Sequence, residues 1–312
     1  MKKQVLVFLF LSLTAMSCIS VKQINSNDVI MELAAPTNEG ALIGEFSIAE
    51  GKKVRFSKGN LQYQASTSTW RFAERQWVII GENNSNISPT YDGWIDLFGW
   101  GTSGYHDTLD QQNVNFQPWA STNKRCFSSN NNYYGYGPST NMASSHLLGS
   151  SANYDWGIYN AISNGGNEAG LWRTMTFEEW KYMLFSRVTP SNIRFAKAVV
   201  NKVNGWIILP DDWSETYYPL KKTNKGGGMF SRNTITDEQW VILEQHGAVF
   251  LPAAGYRIKK SIHKVGTCGG YWSASPFDGN AAWFLPIYES AVFSTNVSRY
   301  VGRSVRLVTP VQ

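Results

Sequence analysis

The feature that most constrains the fold is the punctuation of the last third of the chain. AVFLPAAGYRI, GGYWSAS, AAWFLPIY, SAVFST and RSVRLVTP are short apolar runs separated by glycine, proline and polar turn residues. Such short runs, rich in β-branched and aromatic residues, read as strands rather than helices. Their succession predicts an antiparallel sheet that finishes the chain. Over residues 44–80, GEFSIAE, KKVRFSKGNLQYQAS and TWRFAERQWVII repeat the pattern, broken at Gly51 and Gly59. VNGWIILPDDW reads as a buried strand that follows an Asn-Gly turn.

Two helices are marked by their starts. Thr176 stands three residues before Glu179, and Thr236 three before Gln239. Each pair is a capping box, in which hydroxyl and acid or amide satisfy each other's exposed backbone N–H groups. Trp180, Met183 and Leu184 form an apolar stripe on the first helix; Trp240, Leu243 and Val241 form one on the second, which Gly247 is placed to end. Few helices among many short strands predict an α+β fold. Between about 81 and 170 the chain is rich in Asn, Ser, Gly, Tyr and Trp, with SSNNNYYGYGPSTN at its centre. Loops of that length are functional, packed on themselves or disordered, and the tryptophans from Trp94 to Trp172 argue against disorder.

The chain opens with Lys2 and Lys3, an apolar run from Val5 to Leu13, and the small residues Ala15 and Ser17 before Cys18. A positive start, a short apolar core and a small-residue cleavage site describe a signal peptide. Cys18 just after the cleavage point resembles a bacterial lipobox, with plain secretion as the alternative. The expected organisation is a signal peptide over 1–17, a lipidated tether over 18–43 and one domain over 44–312. The expected location is the cell envelope, anchored by lipid in the outer membrane. Ile19, Ser20, Val21 and Lys22 carry no acidic sorting signal, so either membrane face is open.

Composition narrows the function. Charged residues make up 16% of the chain and aromatic residues 14%, with 13 tryptophans. A charge-poor, Trp-rich chain with abundant Asn, Ser and Gly fits an extracellular recognition domain as well as any large β-rich fold. Lys221, Lys222 and Lys225 cluster, as do Lys259, Lys260 and Lys264, but neither group sits in a nucleic-acid-binding motif, so solvated loops are expected and no nucleic acid. Of the three cysteines, Cys126 and Cys268 are free to pair in an oxidising compartment.

Motifs for catalysis are incomplete. His106, His146, His246 and His263 show no paired metal spacing, and Gly99, Gly101 and Gly104 lack the strand and helix a nucleotide fingerprint needs. Ser121 to Lys124 and Ser261 to Lys264 match SxxK without its companion elements. Asp211 and Asp212 are adjacent and point opposite ways in extended chain. Asp92, Asp96, Asp107 and Asp110 offer oxygen ligands without EF-hand spacing, so a structural calcium ion is an alternative to none. No enzyme, cofactor or metal site is predicted.

LWRTMTFEEW, VFLPAAGYR, GGYWSAS, AAWFL and VGRSVRLV, in that order, resemble the Fibrobacter-type major paralogous domain. The resemblance implies a C-type lectin-like fold related to the formylglycine-generating-enzyme group, with long loops on small sheets. The copper-binding cysteine pair of those enzymes is not matched, since Cys268 alone lies near the C-terminus. Gln117-Pro118-Trp119 lacks the carboxylate of calcium-dependent sugar sites. The YWS…GxSVR pattern is also similar to variable proteins of diversity-generating retroelements. In that likeness Tyr271, Trp272, Ser273, Trp283, Gly302, Ser304, Val305 and Arg306 are framework, and Pro276, Phe277, Asp278, Gly279, Asn280, Phe284, Ile287, Tyr288, Ser294, Asn296, Ser298 and Tyr300 are of the variable kind. The alternative is that these are ordinary loop and edge-strand residues.

Together these readings lead to a lipid-anchored envelope protein that binds an extracellular or envelope protein or glycan. Its expected face comprises Phe277, Asp278, Asn280, Phe284, Tyr288, Asn296, Ser298 and Tyr300. Tyr133, Tyr134 and Tyr136 are further candidates for exposure, because Tyr among Ser, Gly and Asn suits recognition. A structural or adhesin-like lipoprotein without a small-molecule ligand is the alternative. A diversified face predicts that population sequencing of codons 268–303 finds replacements concentrated on adenine-containing codons, with Trp272 and Ser304 to Arg306 fixed. Variation no greater than over residues 172–184 would remove the retroelement likeness.

Overall fold

The computed structural model describes residues 39–105, 117–119, 146–279, 281–290 and 295–311. Cys18, Cys126, Asp107, Asp110, Asn280, Tyr133, Tyr134 and Tyr136 lie outside the described residues, and with them the lipidation and disulfide expectations. The first strands are β1 (Phe46–Ala49), β2 (Lys52–Phe56), β3 (Leu61–Gln64), β4 (Thr69–Phe72) and β5 (Trp94–Ile95). Helices α1 (Trp156–Tyr159) and α2 (Phe177–Lys181) precede the hairpin β6 (Phe195–Val200) and β7 (Val203–Ile208). Then come β8 (Thr234–Ile235), α3 (Asp237–Gln245), β9 (Val249–Pro252), β10 (Tyr256–Ile258) and β11 (Ser261–His263). The chain finishes with β12 (Gly269–Pro276), β13 (Ala281–Ile287), β14 (Thr295–Ser298) and β15 (Val308–Pro310).

The fold is α+β, with few helices and several small sheets. The strands pair in the orders β1-β2-β15, β4-β3-β5, β8-β6-β7-β9, β10-β11 and β12-β13-β14. All these pairs are antiparallel except β6 with β8. The expected single terminal sheet is therefore divided. β9 leaves to pair with β7, and β15 crosses the molecule to pair with β2, where Val308 faces Phe56. Strands this short bury too little alone, and each small sheet is stabilised by packing on its neighbours.

The β8-β6-β7-β9 sheet is covered on both faces. Ala196, Ala198, Ile207 and Phe250 pack towards Trp240 and Leu243 of α3, while Phe195, Trp206, Ile208 and Leu251 face Trp180, Met183 and Leu184. The period of two thus divides one apolar run between two core clusters. Trp70, Trp100, Trp156, Trp172 and Trp272 fill a third cluster, under the first strands and β12.

Both capping boxes form. The Thr176 hydroxyl accepts the Glu179 N–H and the Thr236 hydroxyl the Gln239 N–H, with Glu179 and Gln239 returning the contact. The first helix is shorter than its stripe implies. It becomes a wider π turn over Tyr182–Ser186, which still buries Met183 and Leu184. Val241 of α3 is exposed rather than part of the stripe, because Trp240 and Leu243 alone fall on the buried face. The turn before β7 is Asn201-Lys202, with φ of 44° and 67°, not Asn204-Gly205. Two successive left-handed residues make the tight turn whose twist suits a hairpin. Gly247 ends α3 at φ 80°, and a Cβ on Gly44 would stand 2.2 Å from its carbonyl oxygen, so the chain entering β1 needs glycine there.

Arg187 joins these layers. It is 1% exposed, donates to the carbonyls of Met183 and Leu209, and meets Asp211 Oδ1 at 2.5 Å. Asp211 also accepts from the Ser47 N–H and hydroxyl. Burial opposes ionisation of this carboxyl, yet Ser47 and Arg187 hold it below its ordinary value. Its contribution is therefore present at neutral pH and lost as pH falls through the acidic range. Asp211→Ala leaves a buried guanidinium without its carboxylate and is expected to cost about 3 kcal/mol in urea unfolding. A cost under about 1 kcal/mol would mean that the backbone carbonyls alone hold Arg187.

Candidate binding face

β12 and β13 form a hairpin whose register sets Trp272 opposite Phe284 and Tyr271 opposite Leu285. Its turn is closed from inside. Phe277 N–H donates to the Ala281 carbonyl at 2.9 Å, and Asp278 Oδ1 accepts the Ala281 N–H at 2.8 Å. Arg299, fully buried after β14, donates to the Asp278 and Ala281 carbonyls. Its guanidinium lies 4.4 Å from the Trp100 ring centroid, and Trp100 Nε1 donates to the Ser273 carbonyl. A cation held between a tryptophan face and turn carbonyls fixes where the tip of the hairpin sits.

The β13–β14 register decides which side chains share a surface. Trp283 pairs with Asn296 and Ala281 with Ser298, while Phe284 pairs with Thr295 and Ala282 with Val297. Opposed residues lie on the same side of the sheet. Asn296 and Ser298 therefore flank Trp283 on the outer face. Phe177, at the first turn of α2, stacks on Trp283 at 4.4 Å and 16°, and Phe277 meets it edge-on at 4.9 Å. Phe177 is placed by its N–H, which donates to Ser275 Oγ; the same hydroxyl bonds His146 Nδ1. The result is an aromatic ledge with Phe277 49% exposed at its rim and amide and hydroxyl groups beside it.

The expected face is redistributed accordingly. Phe277, Asn296 and Ser298 come together on the ledge. Phe284 belongs to the interior. It is 2% exposed and is the plate under Arg303, whose guanidinium lies 3.7 Å from its ring centroid. A Cβ on Gly270 would meet both Arg303 and Phe284 at 2.6 Å, so glycine there makes the stack possible. Asp278 is exposed, with one carboxylate oxygen given to the turn. Tyr288 lies past the far end of β13, where its carbonyl accepts from Trp206, and Tyr300 sits in the turn after β14. Trp283, read as framework in the sequence, is half-buried on the outer face and central to the ledge; Phe177 was hidden in the capping motif.

Other polar groups are tied up elsewhere. Asp96 is buried and accepts from Ile80 and Asn84; burial pushes its carboxyl up to about 6 against those hydrogen bonds. His246 stacks on Tyr217 and His263 on Tyr256. Burial also pushes the Cys268 thiol up, against Arg303 and Lys264, so it is held as the thiol rather than the nucleophilic thiolate. Among the described residues no group of three or more His, Cys, Asp and Glu is placed to hold a metal, and no helix is long and apolar enough to cross a membrane.

No family model, curated protein or solved structure matches the chain.

The ledge should be separable from its support. Arg299→Ala removes the buried cation and is expected to cost about 3 kcal/mol in urea unfolding. Trp283→Ala, which loses ring contacts at a half-buried site, should cost about 1 kcal/mol. Equal costs would show that Trp283 is a core residue and not a surface one.

Proposed function

We propose that the chain is a lipid-anchored binding protein of the bacterial cell envelope, with a C-type lectin-like fold akin to the Fibrobacter-type major paralogous domain. It binds rather than catalyses, and its ligand is an extracellular or envelope protein or glycan held on the aromatic ledge. The observation that carries this reading is the partly exposed Phe177–Trp283–Phe277 cluster, edged by Asn296 and Ser298 on a turn fixed from below. A ring cluster presents large apolar area with little side-chain entropy to lose, and the neighbouring amide and hydroxyl supply direction. Small residues and turns around it suit a surface whose tip changes while Tyr271, Trp272 and Arg306 remain inside. The signal-peptide pattern and Cys18 support the envelope location.

The test is a glycan array together with cross-linking capture from envelope fractions, using wild type and Trp283→Ala. A specific ligand whose affinity falls at least about 30-fold in the variant supports the reading, since a central aromatic contact is worth about 2 kcal/mol. A ligand bound equally well by the variant, or none on either assay, would overturn it.

A further inference from the structure

A second surface lies beyond the other end of β13 and has different chemistry. Lys197, Lys221, Lys222, Lys225 and Arg232 line one shallow cleft with Gly227, Gly228 and Met229. In sequence only three of these cations are neighbours; Lys197 comes from β6 and Arg232 from the short turn Phe230–Arg232.

The fold holds them in place. Asn233, 7% exposed, accepts the Lys221 N–H at 2.8 Å and donates to the carbonyls of Lys221 and Lys197 at 3.0 and 2.7 Å. Asn224, at φ 55°, accepts the Arg194 N–H and donates to the Asn192 carbonyl, which pins the loop's middle. Gly228 N–H donates to the Glu289 carbonyl at 3.0 Å. Lys197 itself is 4% exposed. Its ammonium lies 5.4 Å from the ring centroid of its cross-strand neighbour Trp206 and donates to the carbonyls of Gly226 and Glu289. Burial pushes this ammonium down to about 8, although the Glu289 charge opposes the shift.

The charge is one-sided. Among the described residues none of the five cations makes an ion pair. Glu289 is the acid nearest Lys197 by its electrostatic effect, and its carboxylate accepts the Phe230 N–H. Cations gathered on a pinned loop repel one another, and an anion placed among them offsets that cost. Lysine ammoniums are compact point charges that hold phosphate-class oxyanions by charge rather than by bidentate geometry, and several together favour a dianion over a monoanion. Gly227 is exposed and has no side chain, so a ligand oxygen can approach the backbone there.

We propose that this cleft binds a phosphate- or sulfate-class dianion, either free or as a substituent on a glycan. The site is independent of the aromatic ledge and of its ligand.

Calorimetric titration of the full chain with inorganic phosphate, inorganic sulfate and dextran sulfate tests this, with neutral dextran as control. Lys222→Ala/Lys225→Ala should weaken binding at least 10-fold while leaving the thermal midpoint within a few degrees. Lys259→Ala/Lys260→Ala removes the same charge from another loop and should leave binding unchanged. Binding of the inorganic anions identifies a free-ion site; binding of dextran sulfate alone identifies a substituted glycan as the source. No binding of any of the three, or binding weakened equally by both double variants, would overturn the proposal, the latter showing a general charge effect.

Discussion

The segment from Gly302 to Val308 is the constraint on which the other elements depend. It is buried throughout, and its backbone bonds reach in many directions. Gly302 exchanges hydrogen bonds with Arg257 and Arg303 with Phe98. Ser304 receives the Trp272 N–H, Val305 the Leu61 N–H and Leu307 the Ser57 N–H, while Val308 exchanges bonds with Arg173. Each buried backbone group needs a partner, so β2, β3, β10, β12 and the 97–98 and 173 segments must all arrive at one extended strand. Arg306 adds a charge to this core. At 1% exposure it donates to Gln76 at 2.6 Å and to Asn60 at 3.4 Å, and burial pushes its guanidinium down to about 10, still charged at neutral pH. Gln76 passes the interaction to Glu244 of α3 at 2.8 Å. A buried charge tolerated only in one hydrogen-bonded arrangement disfavours other packings of the same short strands.

The same segment supports the ledge. Arg303 lies between Phe284 and Tyr256, so the inner face of β13 is clamped to the strand that organises the core. With Phe284 fixed inside, the pleat leaves Trp283 no choice but the outer face. Arg299, a few residues upstream, holds the turn against Trp100. The arginines of the YVGRSVR region therefore orient the surface without being part of it.

What the sequence revealed was local. Each capping box is complete within four residues, and both form. Most of the apolar runs become strands because period and turn residues are short-range signals; SAVFST falls largely outside the described residues, and RSVRLVTP is a strand only over Val308–Pro310. Strand partners are not, which is why β15 joins β2 rather than its neighbours. The face was half legible for the same reason. Phe277, Asn296 and Ser298 were recognisable by type, whereas the exchange of Trp283 for Phe284 depends on a register set across two strands, since a shift of one residue inverts every side chain. The cleft was hidden more deeply. Lys221, Lys222 and Lys225 looked like a solvated loop, and only the pairing of β6 with β7 and the clamp of Asn233 bring Lys197 and Arg232 to them.

The two surfaces share β13 and yet are electrically separate. From Trp283 to Ile287 the strand advances about 13 Å, at ~3.3 Å per residue. The cleft is tied to the chain beyond Ile287, through the Glu289 carbonyl. Screening at physiological ionic strength acts over about 8 Å, so the lysine field is largely spent before it reaches the ledge. On the functions proposed above, the ledge would select by shape and apolar contact, and the cleft by charge. A rigid strand between them fixes their spacing, so a ligand that carries both an apolar ring and an anionic substituent gains from both only if its own geometry spans that distance.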